Sequence, residues 1–344
     1  MTRAIGKLLN SQGRNLGLLT ALVVLTAYVT AQRPTFGSFD NWRAILLNAS
    51  FTAIPALATT VILILGKVDL SIGSIYGFGG ILSAWLSVDS GLPWWAAMLV
   101  GVLAGALLGL LNGLLVRRIP VSPLIVTLGS LTLIYGANLL MTSGQGIRGI
   151  PDTFTKLGQA RPLGIPTSVW VWAIAAVATA VLLQAFRVGR HIYAIGGNEQ
   201  AAATSGINVR AIVLWAFSLN GAFAALGGVL SASRLQSADA NLGRGSELSI
   251  LTAVILGGVA FTGGEGAVLG VVIAVVFLAV IDNALVALSI DPSWSFVVKG
   301  TVLIIAVALN QLAIEHRNRR QKAAMLKIET TETKPVEKLA GQGT

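Results

Sequence analysis

The chain has 344 residues, of which 54% are hydrophobic and only 11% charged, against a charged share of roughly 25% in ordinary soluble domains; that excludes a soluble globular protein and implies an integral membrane one. The absence of cysteine and the presence of just two histidines, His191 and His316, exclude disulfide and thiol chemistry and leave little for an imidazole metal site. The net charge of +10 is spread over loops and a tail with no aromatic-basic platform for nucleic acid, so membrane orientation is its simpler explanation.

In chain order, the apolar runs are long and rich in Leu, Ala and Val rather than alternating, so they read as helices, the form that satisfies the backbone in lipid. They predict spans near 16–31, 44–65, 72–88, 93–116, 123–142, 168–186, 211–233, 250–261, 267–288 and 294–312. The eighth is short and glycine-rich. The expected fold is therefore an all-α membrane protein of about ten transmembrane helices. Residues 1–15 form an N-terminal segment, 16–314 the transmembrane domain, and 315–344 a basic tail running into disorder.

Orientation follows from the basic residues at span ends. Arg3, Lys7, Arg14, Lys67, Arg117, Arg118, Arg187, Arg190, Arg210 and the tail cations between Arg317 and Lys338 fall on one face. They outnumber Arg33, Arg43, Arg148, Lys156, Arg161, Arg234 and Arg244 on the other. The first face is predicted to be cytoplasmic, with both termini on it. Two larger outer loops follow. Residues 143–167 carry Pro151, Pro162 and Pro166 and read as irregular, and residues 236–249 bring Asp239, Arg244 and Glu247. As a basic outer rim, Arg148, Arg161, Arg234 and Arg244 are placed to steer an acidic partner.

Shifting the chain by 171 residues lays 111–134 on 282–305 without gaps, pairing Asn112 with Asn283, Ser122 with Ser293 and Gly129 with Gly300. The predicted topology points these two hairpins in opposite directions, the mark of an inverted repeat. Inside the spans, ionisable groups are expensive. Asp282 and Lys299 fall at similar depths on adjacent antiparallel helices, about 8 to 9 Å below the outer boundary, so they are expected to face protein or water and to pair. Asn112, Asn220 and Asn283 either hydrogen-bond between helices or line a path for a hydroxylated solute.

Between two apolar runs lies the polar stretch GRHIYAIGGNEQAAATSGINVR, residues 189–210. Asn198 is a good N-cap and Glu199 sits at the positive end of the helix dipole. Gly206 supplies the closing positive φ, and Gly196 with Gly197 is expected to turn the chain sharply out of the preceding span. The stretch thus reads as a short capped helix, Gly197 to Gly206, on the cytoplasmic face. Ala201 and Ala202 are small enough for close docking there, and Glu199 is placed to meet a basic partner. No lysine is followed by Ser or Thr, so the phosphate-cradling GxxxxGK[ST] pattern is absent, as are a serine elbow and HExxH.

Several stretches in this order resemble the permease subunits of ribose-type monosaccharide ABC importers: VDLSIGS at 68–74, LNGLLV at 111–116, PLIVTLGSL at 123–131, GRHIYAIGGNEQAAATSGI at 189–207, SADANLGRGSELSILTAVILGG at 237–258 and TGGEGAVLG at 262–270. Two departures stand out: Lys67 where the family often has Gly, and Asp282 where Asn is usual. The resemblance implies a non-catalytic bacterial inner-membrane permease that translocates a monosaccharide. It also implies a second permease copy, identical or sister, two cytoplasmic ABC ATPases holding ATP and magnesium, and a periplasmic sugar-binding protein. The capped helix would be the element that engages the ATPase, with no cofactor on this chain. The rival reading is an ion-coupled secondary carrier using Asp282.

Overall fold

The computed structural model describes residues 2–308, with side chains from Asn15 onward. The predicted tail 315–344, the end of the tenth span and the side chains of Arg3, Lys7 and Arg14 lie outside that description. Thirteen α-helices follow one another among the described residues: α1 (Thr2–Gln32), α2 (Phe39–Ile64), α3 (Ile72–Val88), α4 (Trp94–Arg118), α5 (Pro123–Thr142), α6 (Asp152–Gln159), α7 (Thr167–Ala185), α8 (Arg187–Gly197), α9 (Glu199–Thr204), α10 (Val209–Leu235), α11 (Ser246–Leu256), α12 (Val268–Ala287) and α13 (Trp294–Ala308). Seven of them are long and apolar enough to cross a membrane, and the remaining predicted spans appear as the shorter apolar helices α3, α11 and α13. Helix α1 begins at Thr2, so it runs unbroken from the predicted cytoplasmic segment into the first span.

Burial orders these helices. In α2, 78% of the apolar window is buried, against 6% in α1, 17% in α5 and 22% in α7, so α2 is the central post and the others face outward with Leu and Val, as lipid contact permits. Because lipid tails are as apolar as leucine, close packing rather than hydrophobic segregation holds such a bundle. Its tightest joint is between α4 and α10, where Gly101, Gly105, Gly109 and Gly113 recur every four residues on one face of α4. A Cβ on Gly109 would stand 2.1 Å from the Phe217 carbonyl oxygen, and one on Gly221 would stand 2.1 Å from that of Gly105. Backbones touch here.

Helix α11 has only 11 residues, about 16 Å at 1.5 Å per residue, or half a bilayer core. Non-helical segments flank it on either side. Residues 236–245, expected as an exposed outer loop, are instead inserted into the bundle. Ala238 and Ala240 are buried, and the Leu242 carbonyl lies 2.3 Å from where a Cβ on Gly77 of α3 would be. The loop 143–167, expected to be irregular, carries α6, whose buried Phe154 and Thr155 dock on Ser233, with Ser233 Oγ donating to the Phe154 carbonyl at 2.6 Å. Proline-rich flanks hid an eight-residue amphipathic pattern too short to stand out.

Contacts fix which helix ends lie together. The Gly264 N–H, just before α12, donates to the Ile64 carbonyl at the end of α2 at 2.8 Å. Arg117, at the end of α4, meets Glu199 of α9 at 2.7 Å. A Cβ on Gly270 would lie 3.0 Å from Asn15 Oδ1. This is the end predicted to be cytoplasmic. The hairpins α4–α5 and α12–α13 accordingly point in opposite directions, as the repeat requires.

Candidate functional site

The site begins where α7 breaks at Phe186, whose extended backbone (φ −87°, ψ 153°) turns the chain into α8. Helix α8 is amphipathic: Gly189, Ile192 and Ile195 are buried while Arg187 and Arg190 are exposed. Tyr193 Oη donates to the Gly266 carbonyl at 2.8 Å, tying α8 to the segment before α12. The corner into α9 is Asn198 (φ −162°, ψ 104°), whose Oδ1 accepts the Ala201 N–H at 2.9 Å. That is the expected cap, and Gly206 closes the turn with φ +82°.

Gly196 and Gly197 do not make the turn. They are the last residues of α8, and Gly196 is needed for contact rather than for φ: a Cβ there would stand 1.7 Å from the Ile64 carbonyl oxygen and 2.6 Å from the Gly264 nitrogen. Ala202, expected at the docking surface, is buried at 5% exposure against the chain's own core. Ala201, Ala203 and Thr204 are the exposed ones. Replacing Ala202 by Trp therefore tests packing, not docking.

Glu199 also has its partners within the chain. Its carboxylate receives Lys67 Nζ at 2.8 Å and Arg117 Nη1 at 2.7 Å, so α9 is clasped to the α2–α3 turn and to the end of α4. The Lys67 hydrogen bond, opposed in part by burial and helped by the charge of Arg117, holds the Glu199 carboxyl below the usual glutamate range. A depressed carboxylate contributes stability above its unfolded value and loses it as pH falls through the lowered one. At this exposure the contribution is at most about 1 kcal/mol. Infrared titration of the folded protein should place the Glu199 midpoint below that of an exposed glutamate, leaving the clasp intact across the neutral range. A midpoint at or above the ordinary value would mean that the clasp is open.

Two residues past Lys67, a buried network fixes the same turn. Asp69 is fully buried; its Oδ1 accepts Ser71 Oγ at 2.6 Å and the Ser71 N–H at 3.0 Å, and its Oδ2 accepts Asn220 Nδ2 at 3.0 Å. Asn112 Nδ2 donates to Ser71 Oγ at 2.7 Å, and Thr59 Oγ1 donates to Asn220 Oδ1 at 3.1 Å. Asn112 and Asn220, candidate path residues, thus knit α4 and α10 to the α2–α3 turn; both are buried and line no cavity described below. Asp69 itself was passed over because GKVDLSIGS reads as a turn whose glycines permit tight turning and close helix packing. Its acidic residue beside glycines gives no periodic signal of the convergence of α2, α4 and α10.

At the outer end, Lys299 Nζ meets Asp282 Oδ2 at 2.7 Å, the pairing expected from equal depth, and Ser295 Oγ also donates to this carboxylate. Asn283 Oδ1 accepts Asn41 Nδ2 at 3.0 Å, joining α12 to α2. Lys299 lines a cavity of about 280 Å³ together with Phe51, Tyr76, Ser231 and Ser246. Of the expected rim, Arg161 and Arg234 border a second cavity with Arg43, itself paired with Asp40 at 3.4 Å. Arg148 is exposed elsewhere. Arg244 lies over the Tyr135 ring, 5.3 Å from its centroid, and borders the Lys299 cavity and one further cavity, apart from the other arginines.

The chain is similar to known proteins over most of its length. The family described as branched-chain amino acid transport system / permease component matches residues 41–307. The chain is similar to the ribose import permease protein of Haemophilus influenzae, with 35% identity over 291 residues covering 83% of this chain and 90% of that one. It is 36% identical over 314 residues to the galactose/methyl galactoside import permease protein of Escherichia coli K12, covering 86% and 94%. The D-allose transport system permease protein of the same organism is 33% identical over 297 residues, covering 86% and 91%. No solved structure matches.

Proposed function

The chain belongs to the family of permease subunits of ABC import systems, and on that premise we propose that it carries a monosaccharide across the bacterial inner membrane while α8 and α9 receive the push of a partner ATPase. The family description names amino acids, but the relatives at 33–36% identity are sugar permeases, which favours the sugar reading. ATP and magnesium belong to the ATPase, and this chain contributes conformational change rather than chemistry. A sugar-binding protein docks at the outer end, where Arg161 and Arg234 border one cavity, and a second permease copy completes the channel.

The observation that carries this reading is the clasp. A six-residue helix with Ala201, Ala203 and Thr204 exposed is held from behind by Lys67 and Arg117 through Glu199. A push on its outer face is therefore delivered to α2, α3 and α4 together. Asp282, already paired with Lys299, offers the rival ion carrier little.

Because the chain has no native cysteine, single thiols report cleanly. Ala203→Cys is expected to cross-link to the ATPase in the assembled complex, whereas Arg148→Cys at the opposite end is not. Ala203→Trp should lower ATP-driven uptake about tenfold or more by obstructing close docking, with the permease still folded; on an exposed helix face the stability change is within about 0.5 kcal/mol. Wild-type uptake by that variant, or a cross-link from residue 148 alone, would refute the assignment.

A further inference from the structure

We propose that a cavity between α3, α5 and the inserted segment before α11 is a station on the solute's path, where sugar hydroxyls are read by Asn138, Glu247 and Arg244. This rests on the importer reading above and adds the place and chemistry of recognition within the permease. The cavity has a volume of about 200 Å³ and is lined by Gly73, Ser74, Thr132, Tyr135 and those three side chains, with Leu131 and Leu242. At roughly 30 Å³ per water it has room for six or seven waters, the bulk of one sugar ring rather than two.

Asn138 is the telling residue. It is 1% exposed, and its Nδ2 donates to the Ser74 carbonyl at 3.1 Å. Since that carbonyl can only accept, the amide cannot be turned round. Its Oδ1 is then fixed as an acceptor, buried, with no donor reaching it. Buried acceptors are seldom left so, and a small turn of the amide toward the cavity it borders would bring this one a ligand hydroxyl.

Missing side chains on α3 make the room these groups occupy. A Cβ on Gly73 would fall 2.1 Å from a Glu247 carboxylate oxygen, and one on Gly77 would fall 3.0 Å from Asn138 Nδ2. The bare face of α3 is what admits both side chains. Arg244 lies over Tyr135 and its Nη1 donates to Asn241 Oδ1 at 3.4 Å, so the guanidinium is held beside the cavity with donors to spare. Acceptor, acid and guanidinium around a volume this small suit a ligand that is both donor and acceptor at several points, as a monosaccharide is.

The test uses the permease reconstituted in liposomes with its ATPase and binding protein, following ATP hydrolysis alongside uptake. The probes are ribose, galactose and allose, each with its single-deoxy analogues, and leucine for contrast. In the unaltered complex, loss of one particular hydroxyl is expected to reduce uptake of the transported sugar about tenfold or more, as polar sites reject analogues lacking a bonded group. In Asn138→Ala and in the near-isosteric Glu247→Gln, that ratio should shrink toward unity, through loss of uptake of the parent sugar. The binding protein is the same in every arm, so such a collapse belongs to the permease. If Asn138→Ala fails to assemble, Glu247→Gln alone decides. Discrimination unchanged in the variants, or absent from the unaltered complex, overturns the station and leaves the importer standing. Uptake of leucine with no sugar carried overturns the sugar reading on which the station rests.

Discussion

Asp69→Ala is expected to destabilise the detergent-solubilised protein by about 3 kcal/mol or more, read as a large drop in thermal midpoint followed by tryptophan fluorescence. The carboxylate is fully buried and accepts from the Ser71 N–H, Ser71 Oγ and Asn220 Nδ2. Truncation strands these donors in a dry interior, where each unmade bond costs about 1–3 kcal/mol, and more for partners of a charged group. Asp69→Asn should be far milder. Its oxygen can serve Ser71, while Asn220 turns its amide to accept from the new NH₂ and to donate to Thr59 Oγ1, now acting as acceptor. The contrast separates bonding geometry from charge. If the two variants melt alike, the carboxylate's charge is what the turn requires, and the account of this network is wrong.

Gly196→Ala should cripple transport while Gly197→Ala leaves it near normal. At Gly196 the added methyl would lie 1.7 Å from the Ile64 carbonyl oxygen and 2.6 Å from the Gly264 nitrogen, whereas at Gly197 nothing lies within 4 Å. Both obstacles at Gly196 are backbone, so no side chain can yield; α8 must move away from the end of α2. That move unseats α8 from the 2.8 Å bond between Gly264 and Ile64, against which Gly196 packs. Overpacking of this kind costs about 1–3 kcal/mol. Uptake should fall more than tenfold, because the joint through which α9 drives the bundle is forced open. Equal behaviour of the two variants would show that the joint carries no motion.

Some of this was legible in the residues. The predicted spans reappear as long or shorter apolar helices because hydrocarbon solvent imposes a length and composition that a linear reading detects. The Asn198 cap and the Gly206 closure are local chemistry, set within four residues. The pairing of Asp282 with Lys299 followed from depth along neighbouring antiparallel helices. Even the two departures from the family pattern, Lys67 and Asp282, were visible as departures, though only the structure reveals that Lys67 forms an ion pair.

What lay hidden depends on which distant segments converge. Gly196 was read as a hinge because glycine permits turning; its contact with Ile64 and Gly264 is a long-range fact. Glu199 and Ala202 were assigned to a partner's surface, yet one is clasped by Lys67 and Arg117 and the other is buried, since a six-residue helix does not announce which face it will hide. Asp69 and Asn138 carried no signal in a turn and in an apolar run.

The sequence by itself determined the solvent, the approximate path of the chain through it and the caps of its short polar helix, because those depend on composition and near neighbours. The tertiary structure alone decided which polar groups are satisfied and which remain open. Among the described residues, hydrogen-bond partners in this bundle lie up to 242 residues apart for Asn41 and Asn283, and no local pattern encodes a meeting at that separation.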